Sequence, residues 1–83
     1  METTYIVQAF DRQTVKGQSR LIPAAAMQFN RESDALRRVD RMAEQHAGVV
    51  AVAQEFDGDS GEMGKTTLLA QHGDVPEELL ENF

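Results

Sequence analysis

The alternation of apolar and polar residues is most regular between Arg31 and Ala47, where Ala35, Leu36, Val39, Met42, Ala43, His46 and Ala47 recur at spacings of three and four. That period is the α-helical repeat, and it predicts one amphipathic helix. Arg37, Arg38, Asp40, Arg41, Glu44 and Gln45 fill the opposite face, and Asn30 or Ser33 can cap the free amides at its start. Gly48 directly follows the last periodic residue, where a left-handed C′ glycine often ends a helix.

Runs of β-branched and aromatic residues flank the helix, Thr3 to Phe10 before it and Val49 to Phe56 after it. A further apolar run from Arg20 to Phe29 contains Pro23, which cannot donate to a ladder and so belongs at an edge or a bulge. A fourth run, Lys65 to His72, follows the turn-rich segment Asp57 to Gly64. Asp74 and Glu77 have capping-box spacing around Pro76 and predict a short helix over Pro76 to Glu81. The expected class is therefore α+β. Its order is β-β-α-β-β, a four-stranded, mainly antiparallel sheet with one long helix on one face and a short C-terminal helix.

Side chains alternate between the two faces of a strand. The first strand divides into Tyr5, Val7 and Ala9 on one side and Ile6, Gln8 and Phe10 on the other; the third divides into Val49, Ala51 and Ala53 against Val50, Val52, Gln54 and Phe56. Small residues let a helix lie close, which assigns the alanine-bearing face to the long helix. The other face holds Ile6, Gln8, Phe10, Val52, Gln54 and Phe56, with no second long helix to cover it. Such an apolar patch usually marks an interaction surface. A second copy of the chain would cover it, and so would the C-terminal segment through Leu79, Leu80 and Phe83. The stretches Ile6 to Asp11 and Val52 to Asp57 also echo each other, each with an aliphatic residue, a Gln, a Phe and an Asp in one register. Two strand-strand-helix units would leave that trace, although strands draw on a small alphabet and coincidence is the commoner source.

Composition narrows the classes. The 83 residues have room for one core and read as a single domain over 1–83, with 41% hydrophobic residues, enough to fold. No cysteine is present to staple so small a core. Neither a signal-peptide pattern nor a membrane-spanning stretch occurs, which leaves a cytoplasmic protein by elimination. The net charge is −6, but seven of the eight basic residues lie within residues 1–41, so that segment is formally +2 and the remainder −8. The sharpest basic group is Arg31, Arg37, Arg38 and Arg41, and Arg37, Arg38 and Arg41 are the candidates for contact with an anion. A solvated face with Asp34–Arg38 neighbours is the plainer reading, and the overall charge argues against nucleic acid.

Motifs for chemistry fall short. Gly64-Lys65-Thr66-Thr67 matches only the tail of a phosphate loop, with Asp59 at the first glycine position and a strand where the helix should follow. Asp57, Asp59 and Glu62 suggest a calcium loop, but Gly61 and Glu62 stand at its fifth and sixth positions and Leu68 at the twelfth. His46 and His72 are the two histidines; His46 is placed to meet carbonyls at the helix end. No nucleophile elbow occurs, and no catalytic residue, metal ligand or cofactor is assigned.

The phrases Tyr5-Ile6-Val7-Gln8-Ala9-Phe10, His46-Ala47-Gly48-Val49-Val50-Ala51 and Leu69-Ala70-Gln71-His72-Gly73-Asp74-Val75-Pro76-Glu77-Glu78 resemble those of short rhizobial-type bacterial proteins of unknown function. The resemblance covers nearly the whole chain and implies a free-standing small bacterial protein, without an activity or a site. Two functional expectations follow from the residues. The first is a self-associating interaction module, a homodimer without enzymatic activity, built on the Phe-bearing sheet face. The alternative is a small-molecule-binding or catalytic protein with its pocket at a dimer interface, where Gln8 and Gln54 would serve the ligand.

Overall fold

A computed structural model describes residues 1–80. Strands β1 (Glu2–Val15) and β2 (Gln18–Phe29) precede helix α1 (Glu32–Gln45); strands β3 (Gly48–Phe56) and β4 (Met63–Gly73) precede a single turn of helix, α2 (Glu77–Leu80). The four strands form one antiparallel sheet in the order β2-β1-β3-β4. The chain is α+β as expected, with Pro23 on an edge strand beside a bulge.

The split of faces in β1 and β3 follows the alternation. Ala35, Val39 and Met42 of α1 pack on Val7, Ala9, Val49 and Ala51. Small side chains on the strands bring the helix close, and this core contains no fully buried side chain larger than valine. Leu36, one of the periodic positions, lies beside the buried stripe and stays exposed. Acidic Glu32 and Asp34 occupy the first turn of α1, where they complement the helix dipole. Its N-cap is Arg31, in extended conformation and without a side-chain cap, so neither Asn30 nor Ser33 fills that role.

The end of α1 also differs from expectation. His46 is the C-cap, in extended conformation, and Gly48 already belongs to β3 with a negative φ. Its lack of a side chain serves close approach: a Cβ there would overlap the carbonyl of Asp74, whose amide donates to Ala47 O at 2.9 Å.

The first hairpin outruns the sheet. Pairing of β1 with β3 ends at Phe10 opposite Gly48, whereas β1 and β2 stay paired from Asp11–Ile22 out to Val15–Gln18. The tip turns through Lys16 (φ 52°) and Gly17 (φ 80°), two successive left-handed residues that suit a two-residue hairpin turn. This arm lengthens the molecule to 47 Å and gives a radius of gyration of 13.8 Å, above the roughly 12 Å expected for a compact chain of this length.

The echo between the two halves is structural. In β1, Gln8-Ala9-Phe10 faces a two-residue bulge, Ala24-Ala25, in edge strand β2; in β3, Gln54-Glu55-Phe56 faces Gly64-Lys65 in edge strand β4. Ile6 pairs with Val52, its own counterpart in the echo, so an approximate two-fold axis passes through that pair, perpendicular to the sheet. The two units lie side by side in one sheet.

Candidate functional site

The sheet face turned away from α1 carries all six residues of the expected interaction face. Register places Thr4, Ile6, Gln8 and Phe10 of β1 beside Gln28, Ala26 and Pro23 of β2, and Val50, Val52, Gln54 and Phe56 of β3 beside Gln71, Leu68, Thr66 and Met63 of β4. None of these residues is charged, in a chain of which 27% is charged; the same register adds one acid, Glu2, at the end of the face opposite Phe56. A neutral surface of this extent can meet apolar matter without stripping water from ions.

Part of the face is covered by its own chain. Phe10 and Val50 are buried, while Ile6, Val52 and Phe56 keep partial exposure. Leu79 of α2 lines a groove of about 270 Å³ together with Ile6, Gln8, Phe10, Pro23, Val50 and Val52. The C-terminal segment thus reaches this face through Leu79; the side chain of Leu80, and Phe83, lie outside the described residues.

The two glutamines hold the bulges together. Gln8 Nε2 donates to Ala9 O at 2.8 Å and across the bulge to Ala24 O at 3.2 Å. Gln54 Nε2 repeats the arrangement, donating to Glu55 O at 2.9 Å and to Gly64 O at 3.2 Å. Buried backbone carbonyls beside a bulge lack strand partners, and these amides supply them. The two clamps differ in the residue opposite each glutamine. Thr66 Oγ1 donates to Gln54 Oε1, but Ala26 occupies the equivalent place opposite Gln8 and has no hydroxyl. Gln54 is therefore saturated by the protein, and Gln8 Oε1 is an acceptor on the groove wall without a partner among the described residues.

Arg37, Arg38 and Arg41, the expected anion contacts, lie on the other side of the sheet. With Asp34 and Phe29 they line a cleft of about 380 Å³ between α1 and the end of β2. No ion pair joins Asp34 to Arg38 or engages any of the three guanidiniums among the described residues. Arg31 is not part of the cleft wall.

Polar contacts at the ends of the sheet escaped the sequence. His46 Nδ1 meets Asp11 Oδ1 at 3.0 Å and Oδ2 at 3.1 Å, so its partner is a strand carboxylate instead of the helix carbonyls. A carboxylate can only accept, which makes Nδ1 the donor. No serine or threonine hydroxyl joins this pair among the described residues. Arg12 pairs with Asp74 at 2.9 Å and donates to Ser19 Oγ at 3.2 Å, which ties the arm to the start of the C-terminal segment. Asp57 Oδ1 accepts the Asp59 amide at 2.9 Å, and backbone hydrogen bonds from Asp59 and Ser60 hold its carboxyl below the usual range. That acid organises its own turn.

Among the described residues no helix is long and apolar enough to cross a membrane. Comparison with family models, curated proteins and solved structures finds no match.

Proposed function

We propose that this protein is a self-associating interaction module, in which two copies pack through the sheet face turned away from α1, whose centre carries no charge. The carrying observation is that face itself: one side of the sheet is covered by α1, while among the described residues the other is met by Pro76, Glu78 and Leu79 beside Phe10, and its centre, from Ile6 and Gln8 across to Val52 and Gln54, carries no charge. A chain of net charge −6 approaches a copy of itself at least electrostatic cost through a neutral surface. The core adds a motive, since among the described residues it is built of alanines, valines and Met42 under a single helix, and domains of this size commonly gain stability by oligomerising.

Geometry sets the strength. Four strands ~4.8 Å apart and seven residues at ~3.3 Å each give a footprint of roughly 400 Å², about half of the ~800 Å² per partner in a standard interface. The dimer is therefore weak, dissociating over about 1–100 μM. Sedimentation velocity over that range checks this: the wild type shifts from monomer to dimer, and Val52→Glu or Met63→Glu stays monomeric. Met63 is 69% exposed, so its replacement leaves the fold intact. A wild type that remains monomeric at about 100 μM, or a Met63→Glu variant that dimerises as well as wild type, would overturn the proposal.

The groove favours a second reading. Its wall is apolar apart from the unpaired Gln8 Oε1, which suits a small apolar ligand with one hydrogen-bond donor. Gln54 has no free amide group for a ligand, since Thr66, Gly64 and Glu55 engage both of its ends.

A further inference from the structure

We propose that the arginine cleft behind the sheet binds a small phosphorylated molecule that carries a planar ring. Asp34, Arg37, Arg38 and Arg41 follow i, i+3, i+4, i+7 along α1, so they share one face beside the buried stripe. Phe29, the last residue of β2, closes the other side, and the space between is about 380 Å³, the size of a small-ligand site.

Three cations stand in that space without a counter-ion. No carboxylate lies within 4.0 Å of Arg37, Arg38 or Arg41 among the described residues, although acidic residues outnumber basic ones 14 to 8 in the chain. Arg12, by contrast, has found Asp74 and Ser19. Asp34 leaves the cleft a formal charge of +2. Planar guanidiniums suit phosphate oxygens, which they can grip with two parallel bonds, and Phe29 offers a wall for an aromatic ring. Size follows from the charge of the whole molecule. A polyanionic macromolecule meets the −6 of the chain over its length, while a small anion seated in the cleft lies nearest the three guanidiniums that line it.

Calorimetric titration of the full chain at low ionic strength with AMP, ribose 5-phosphate and adenosine tests the proposal. The expected result is a dissociation constant for AMP of about 0.01–1 mM, weakening with salt, with ribose 5-phosphate several-fold weaker and adenosine weaker still. Arg37→Gln/Arg41→Gln should lose at least about tenfold in AMP affinity, and Asp34→Asn should gain several-fold; all three positions are exposed. Arginine Nε–H resonances of the wild type should shift at Arg37, Arg38 and Arg41 and stay fixed at Arg20. No saturation by AMP up to about 10 mM, or equal affinity in the double variant, would overturn the site. Equal affinity for AMP and ribose 5-phosphate would overturn the role of the ring and of Phe29.

Discussion

Replacing Gln54 by glutamate changes one NH₂ group into an oxygen and leaves the shape of the side chain alone. The residue is 9% exposed, and its Nε2 faces two backbone carbonyls, Glu55 O at 2.9 Å and Gly64 O at 3.2 Å. An ionised carboxylate at this position would set negative charge against both. The folded protein therefore favours the protonated acid, whose hydroxyl can donate to one carbonyl while the other oxygen still accepts from Thr66. Burial beside carbonyls raises such a carboxyl above its unfolded value, and a buried charge held against two carbonyls costs about 2–3 kcal/mol. The sign follows from proton binding: the folded state holds the proton more tightly, so stability is retained below the unfolded value and lost as pH rises through the raised folded value. At pH 4 the variant should lack only one donor bond, about 1 kcal/mol; at pH 7.5 the deficit should reach about 3–4 kcal/mol. Urea unfolding of both proteins at the two pH values reads this directly, since a slope of about 1 kcal/mol/M turns the difference into a midpoint shift of roughly 2–3 M. Gln8→Glu, at the equivalent but half-exposed site, should show the same sign and a smaller change. A Gln54→Glu deficit that is independent of pH, or smaller than that of Gln8→Glu, would refute the assignment of these amides as bulge clamps.

Three further outcomes are expected. Ala26→Thr should supply the donor that Gln8 Oε1 lacks and exceed Ala26→Val in stability by about 0.5–1.5 kcal/mol, measured by chemical denaturation. Gly48→Ala should drive Asp74 away from Ala47 and disturb its pair with Arg12, lowering the melting temperature by about 10–20 °C, as a loss of roughly 2–3 kcal/mol implies in so small a domain. Asp57→Asn should destabilise the protein at neutral pH. Because the folded carboxyl titrates below its unfolded value of 3.8, that deficit should fade as pH falls through the folded value, visible in melting curves from pH 7 down to pH 3.

The class of fold was legible because it rests on periodicity. Two-residue alternation divided β1 and β3 correctly, the spacing of three and four found α1, and Pro23 announced an edge or a bulge, where the sheet has both. The echo around Gln8 and Gln54 was visible as a string of letters, but its content, two amides clamping two bulges, depends on carbonyls of strands paired only in the folded sheet. The arm beyond Phe10 went unread because Asp11 to Lys16 is mostly polar, and two-stranded pairing needs no buried face to mark it. Gly48 gave the same letter for two different needs, a left-handed cap or close approach, and only the position of Asp74 decides between them. His46 and Asp11 are 35 residues apart, a separation over which no local pattern carries information. For the arginine cleft, helical spacing united the cations, while the wall formed by Phe29 came from the packing of α1 against the sheet.

Self-association through the neutral sheet face is tested most directly by isotope-filtered NOE spectroscopy. The sample is a mixture of ¹³C-labelled and unlabelled protein above the dissociation constant. Intermolecular cross-peaks should connect the methyl groups of Ile6 and Val52 in one copy with Phe56 and the strand β4 methyls of the other. An absence of such peaks in a sample shown to be dimeric, or peaks confined to α1 and the hairpin arm, would contradict that interface.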